Sequence, residues 1–155
     1  MTKHIFKFFI GGAAVAFLGW LLFFGLQYAA TQNDPDQQIL KKFENLEKQY
    51  AEDPYGGETP EETLRLFIDA LKKGDTNLAT KYFVIDEQEN WREQLSKIQE
   101  KGLMNEMIKE LNKSKLIKKE DGRAFLILTD EKNVVISQMV LHKNQLNTRW
   151  KITEL

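Results

Sequence analysis

The sequence predicts an α+β protein: an apolar N-terminal helix, then a small domain of three or more helices packed on three to four antiparallel strands. Three observations carry this expectation. Phe8 to Leu26 reads FFIGGAAVAFLGWLLFFGL, without a charged residue. Thr59-Pro60-Glu61-Glu62 has the form of a helix start, and Gly74 that of its stop. After Asp121-Gly122 the apolar period changes from helical to strand type.

The apolar run comes first. At ~1.5 Å per residue it is about 28 Å long, close to the ~30 Å hydrocarbon core of a bilayer. Trp20 and Tyr28 stand toward its far end, where amphipathic rings favour the interface. A cleaved signal peptide competes with an uncleaved anchor. Its cleavage site would have to fall within Gln27-Tyr28-Ala29-Ala30, where Tyr28 or Gln27 occupies a position that wants a small residue. The run therefore predicts a single-pass anchor over 8–28, with 1–7 cytoplasmic. Lys3, His4 and Lys7 precede it, and no basic residue follows until Lys41, so the remainder is expected on the extracytoplasmic side. Gly12 and Ala16 form a small-xxx-small pair, an ordinary feature of membrane helices that also permits close helix contact.

Residues 29–57 read as a linker and an amphipathic stalk. Ile39, Phe43, Leu46 and Tyr50 recur at helical spacing, a stripe that could pack on the domain, lie on a membrane or pair with a copy of itself. Packing on the domain is the expected outcome. Asp53-Pro54-Tyr55-Gly56-Gly57 then breaks the helix.

The domain is expected over 58–155. Thr59 caps the first helix, Glu62 completes a capping box, and Leu64, Phe67, Ile68 and Leu71 form its buried face. Asp75 caps a second short helix, and Val84-Ile85 suit a short strand. Asp86 with Glu89 forms another capping-box pattern before a helix bearing Trp91, Leu95 and Ile98. Gly102 interrupts that helix, and Leu103, Met107 and Leu111 continue a helical face. Three strands follow, in RAFLILT, NVVISQMVLHK and TRWKIT, as an antiparallel meander. In the last, Trp150 and Ile152 share one face, and Arg149, Lys151 and Thr153 the other.

Composition excludes several functions. Lys3 and Lys7 account for two of the 22 basic residues, leaving 20 against 23 acidic ones beyond the anchor, without the basic face of a nucleic-acid binder. The absence of cysteine excludes disulfides, thiolate metal sites and a lipidated cysteine. No histidine pair, Asp-rich calcium loop or phosphate-cradling glycine loop appears, so no metal or cofactor is expected. His142 is the histidine of the domain; Asp69, Tyr82 and Asp86 are its conceivable partners, but sequence does not bring them together.

TPEETLRLFIDALKKGDTNLATKYF, with the closing Trp150-Lys151-Ile152, resembles nuclear-transport-factor-2-like (SnoaL-like, cystatin-like) domains over about residues 58–155. The likeness is greatest to the small extracytoplasmic ones of bacterial lipoproteins and anchored proteins. The resemblance implies a cone, a bent sheet wrapped on helices, often enclosing an apolar pocket; Tyr82, Trp91, Met139, His142 and Trp150 are the candidate lining. It does not imply one activity. The expected role is a non-enzymatic, membrane-anchored module engaging a protein partner, a second copy or a small apolar ligand. A subunit of a secretion or conjugation complex and an isomerase- or dehydratase-like enzyme are the alternatives.

Overall fold

The computed structural model describes residues 19–25, 35–130 and 132–155. They fall into two compact units, Met1–Lys48 and Gln49–Leu155. In the first unit, residues 19–25 are helical. Most of the expected anchor, with His4, Gly12 and Ala16, lies outside the described residues. Among the described residues no helix is long and apolar enough to cross a membrane.

Helix α1 (Pro35–Glu52) begins in the first unit and contributes its last four residues to the second. It has no buried residue. Of its stripe, Ile39 and Phe43 are exposed and Leu46 and Tyr50 half-buried, and Tyr50, which belongs to the second unit, bonds to Asp86 through its hydroxyl.

The second unit runs α2 (Pro60–Lys72), α3 (Thr76–Thr80), a 3-10 turn (Ile85–Glu87), α4 (Gln88–Glu100) and α5 (Met104–Asn112). The strands follow: β1 (Lys115–Glu120), β2 (Arg123–Thr129), β3 (Val135–Lys143) and β4 (Trp150–Glu154). They form one antiparallel sheet in the order β1-β2-β3-β4. The α+β expectation therefore holds, with four strands.

Local chemistry sets the helix ends. Thr59 Oγ1 accepts the Glu62 N–H at 3.1 Å. The Glu62 carboxylate reaches back to the N–H of Glu58 at 2.8 Å, one residue before the cap itself. Gly74, at φ 70°, stops α2, and Asp75 caps α3 by accepting the Leu78 N–H at 2.8 Å. The Asp86–Glu89 capping box does not form. The 3-10 turn delays α4 to Gln88, its cap Glu87 makes no side-chain cap bond, and Asp86 instead accepts from the Tyr50 hydroxyl at 3.2 Å.

The core lies between the helices and one face of the sheet. Ala124, Leu126, Leu128, Met139, Leu141 and Ile152 are buried from the sheet side, and Phe67, Leu71, Leu95 and Leu111 from the helices. Phe83 is its aromatic centre, stacked on Trp91 at 4.5 Å and edge-on to Phe67 at 5.4 Å. The expected short strand at Val84-Ile85 is reduced to a single parallel bridge between Phe83 and Ile152, because the chain turns into the 3-10 helix at once. The fourth strand is β1, which the apolar pattern does not predict. Lys115, Lys118, Lys119 and Glu120 leave it no apolar alternation, and all six residues are exposed.

The outer edge of β4 is closed by two short backbone segments. Ile152 donates to Tyr82 O and accepts from Val84 N, each at 2.9 Å, and Trp150 N donates to Gly57 O at 2.9 Å. The second contact requires Gly56-Gly57, which sequence reading places in the linker. Gly56 sits at φ 109°, and a Cβ there would lie 2.4 Å from Trp150 O. Buried Thr63 locks the junction: its Oγ1 accepts the Gly57 N–H at 2.9 Å and lies 3.0 Å from Trp150 O.

Gly56→Ala should therefore destabilise the full chain by about 2 kcal/mol or more, through backbone strain and clash. Gly74→Asn, at a φ of 70° that asparagine tolerates and with nothing within 4 Å of its Cβ, should stay within about 0.5 kcal/mol. Denaturant unfolding followed by tryptophan fluorescence compares the two.

Candidate functional site

Helices α4 and α5 meet at Gly102, whose φ of 71° turns the chain sharply between them. Their apolar faces, with β2 and the C-terminus, leave an open groove of about 370 Å³. Trp91, Ile98, Leu103, Met107, Leu111 and Leu128 line it. Polar groups stand at Gln94, Glu106, Glu110 and Ser137. An apolar floor with a few polar groups is the usual make-up of a small-ligand site, and the volume is within the usual range. The chemistry on offer is apolar contact plus carboxylate and amide acceptors.

The five residues expected to line a pocket are dispersed. Trp91 lines the groove. Met139 is fully buried in the core. Tyr82 is buried, edge-on to Tyr55 at 6.4 Å. Trp150 is buried with the Lys119 ammonium 5.1 Å from its ring centre. His142 is exposed, in a separate polar hollow with Asp121, Arg123, Lys143 and Asn144. Its conceivable partners are engaged elsewhere: Asp69 with Arg65 at 3.4 Å, and Asp86 with Tyr50. Among the described residues, no group of three or more histidines and carboxylates is arranged to hold a metal ion. The helical spacing predicts one face for Met107 and Leu111 but does not join that face to Ile98. Gly102 between two amphipathic stretches was the available signal.

The strongest polar feature is structural. Lys151, 1% exposed, forms an ion pair at 2.6 Å with Asp53, 7% exposed. Its ammonium also donates to Lys81 O at 2.6 Å and lies 5.9 Å from the centre of the Tyr55 ring. Alternation places Lys151 opposite Trp150 and Ile152, as expected, but that face is not solvated here. The segment 50–57 covers it. Asn144 and Asn147 donate to Tyr50 O at 2.7 and 2.9 Å, Asn147 also to Asp53 O at 2.9 Å, and Arg149 to Gly56 O at 2.8 Å. Each is a side chain from the β3–β4 connection satisfying a carbonyl of the incoming chain.

Burial lowers the pKa of Lys151 below its ordinary 10.5, against the opposing pull of Asp53. Burial, then the charge of Asp86, raises that of Tyr50 above 10.0. Burial likewise raises that of Tyr82.

No protein-family model, curated protein or solved structure matches the chain.

Lys151→Met should cost about 3–5 kcal/mol, because it strands a buried carboxylate, and Asp53→Leu combined with Lys151→Met should recover most of that loss. Thermal unfolding of the four members of the cycle measures the coupling. The pH dependence has a definite sign. A depressed lysine pKa means that the unfolded chain binds the extra proton between the folded pKa and 10.5, so stability rises with pH in that window. Tyr50 and Tyr82 act oppositely: their contribution is complete below 10.0 and is lost as pH rises through their raised values. The rise approaching pH 10 should be present in the wild type and absent from the double variant.

Proposed function

We propose that the chain is a membrane-anchored, extracytoplasmic binding module whose folded unit takes a small ligand with an apolar tail and a cationic or hydrogen-bond-donating head. The groove between α4 and α5 carries this reading. Its floor is aliphatic and aromatic, while Glu106, Glu110 and Gln94 offer acceptors. The charge-free run Phe8–Leu26 and the basic residues before it support the anchor and its orientation. The capped helix ending in Lys73-Gly74-Asp75 and the closing Trp150-Lys151-Ile152 strand support a nuclear-transport-factor-2-like plan.

Nothing in this reading asks for bond making. The exposure of His142, and the engagement of Asp69 and Asp86 with other side chains, favour binding over acid–base work.

Hexylammonium is a suitable probe, with hexanoate as its charge-reversed control. In the full chain, labelled at the methionine methyls and held in nanodiscs, hexylammonium should shift the Met107 methyl signal and leave buried Met139 unmoved. Hexanoate should bind more weakly. Leu103→Lys, at an exposed groove position, should weaken hexylammonium binding by about tenfold, or ~1.4 kcal/mol. A Met107 signal that stays in place, or an equal shift in the Leu103 variant, contradicts the proposal.

A further inference from the structure

The apolar stripe of α1 has a regular spacing. Ile39, Phe43, Leu46 and Tyr50 are separated by four, three and four residues, the d-a-d-a spacing of a heptad seam. The Tyr50 hydroxyl is committed to Asp86. Ile39 and Phe43 remain 52% and 65% exposed, and Leu40 beside them 54%. Large apolar side chains in a row on one helix face are a contact surface in search of a covering.

We propose that this stripe pairs with the same stripe of a second copy of the chain, in a short parallel coiled coil. The charges select this occupant and this orientation. With Ile39 at d and Phe43 at a, Lys42 falls at g and Glu47 at the following e. A parallel pair sets g of one helix beside that e of the other, so Lys42 meets Glu47 of the second copy twice by symmetry. An antiparallel pair sets g against g and e against e, and Lys42 loses its carboxylate. An anionic membrane surface is a poorer match. Lys41, Lys42 and Lys48 share the helix with Asp36, Glu44, Glu47 and Glu52, which leaves it without the basic face such a surface attracts.

A seam this short does not hold two free helices together in water. The pairing therefore rests on the proposed anchor, which places both copies in one bilayer with the same orientation and raises their effective concentration. It does not depend on the groove.

The chain has no cysteine, so single cysteines report the pairing directly. In the membrane pellet of cells making the full chain, mild oxidation should cross-link Phe43→Cys and Leu46→Cys at least fivefold more than Lys41→Cys and Asn45→Cys, which lie off the seam. Within the Leu46→Cys background, Lys42→Glu should lower cross-linking several-fold, and adding Glu47→Lys should restore it. Uniform cross-linking at all positions, none at 43 and 46, or failure of the charge swap to restore it overturns the pairing while leaving the anchor standing. Recovery of the chain in the soluble fraction overturns both.

Discussion

The fold of the second unit depends on how a short incoming segment is held against the last strand. Asp53 and Lys151 form a buried ion pair there, with the ammonium also on Lys81 O. Burying two charges is favourable only when geometry is good and the remaining donors are satisfied. Here burial outweighs the pull of Asp53 on the Lys151 pKa, so what the pair supplies is direction rather than net attraction. An apolar contact at the same place would tolerate sliding, whereas this pair fixes residue 53 opposite residue 151. That registers Gly57 on Trp150 and lets Thr63 reach both strap and strand.

Several features follow from this registration. The β4 edge, which would otherwise present unpaired backbone groups, is covered by Gly57 on one side of residue 151 and by Tyr82–Val84 on the other. With Phe83 held beside Ile152, its ring is placed between Phe67 and Trp91, and α4 is seated on the core through that stack. The seating of α4, and the turn at Gly102, then decide where the apolar faces of α4 and α5 remain open. The groove is thus a consequence of packing begun at the other end of the sheet. The edge of β1 is treated differently: it is lined by lysines, a common guard against unwanted strand pairing.

Much of this is legible in the sequence, for physical reasons that differ by element. Caps at Thr59 and Asp75 and the stop at Gly74 are local, so four or five residues suffice to specify them. Strands β2 and β3 are β-rich apolar runs, and β4 alternates Trp150 and Ile152 with polar residues. Strand β1 was not legible by that criterion, because no residue of it is buried. Its only mark is Asp121-Gly122, both at positive φ, a two-residue turn that demands a strand on each side. The capping box at Asp86 was a false local signal, overridden by a distant hydroxyl on Tyr50. The Asp53–Lys151 pair spans nearly the whole unit and left no trace in sequence; a lysine between Trp150 and Ile152 reads as solvent-facing until a second layer covers it. Of the candidate site residues, only Trp91 came to the groove, because aromatic and methionine positions mark core as readily as pocket.

Residues 50–57 thus belong to the folded unit by bonding, although their composition is that of a linker. Native-state hydrogen exchange on the full chain addresses this most directly. If the strap is part of the cooperative core, the amides of Gly57 and Trp150, which bond to Thr63 Oγ1 and Gly57 O, should exchange only through global unfolding, at the same free energy as the central β2–β3 amides. Exchange of these two amides about a thousandfold faster than the β2–β3 set, roughly 4 kcal/mol lower in opening free energy, would contradict it.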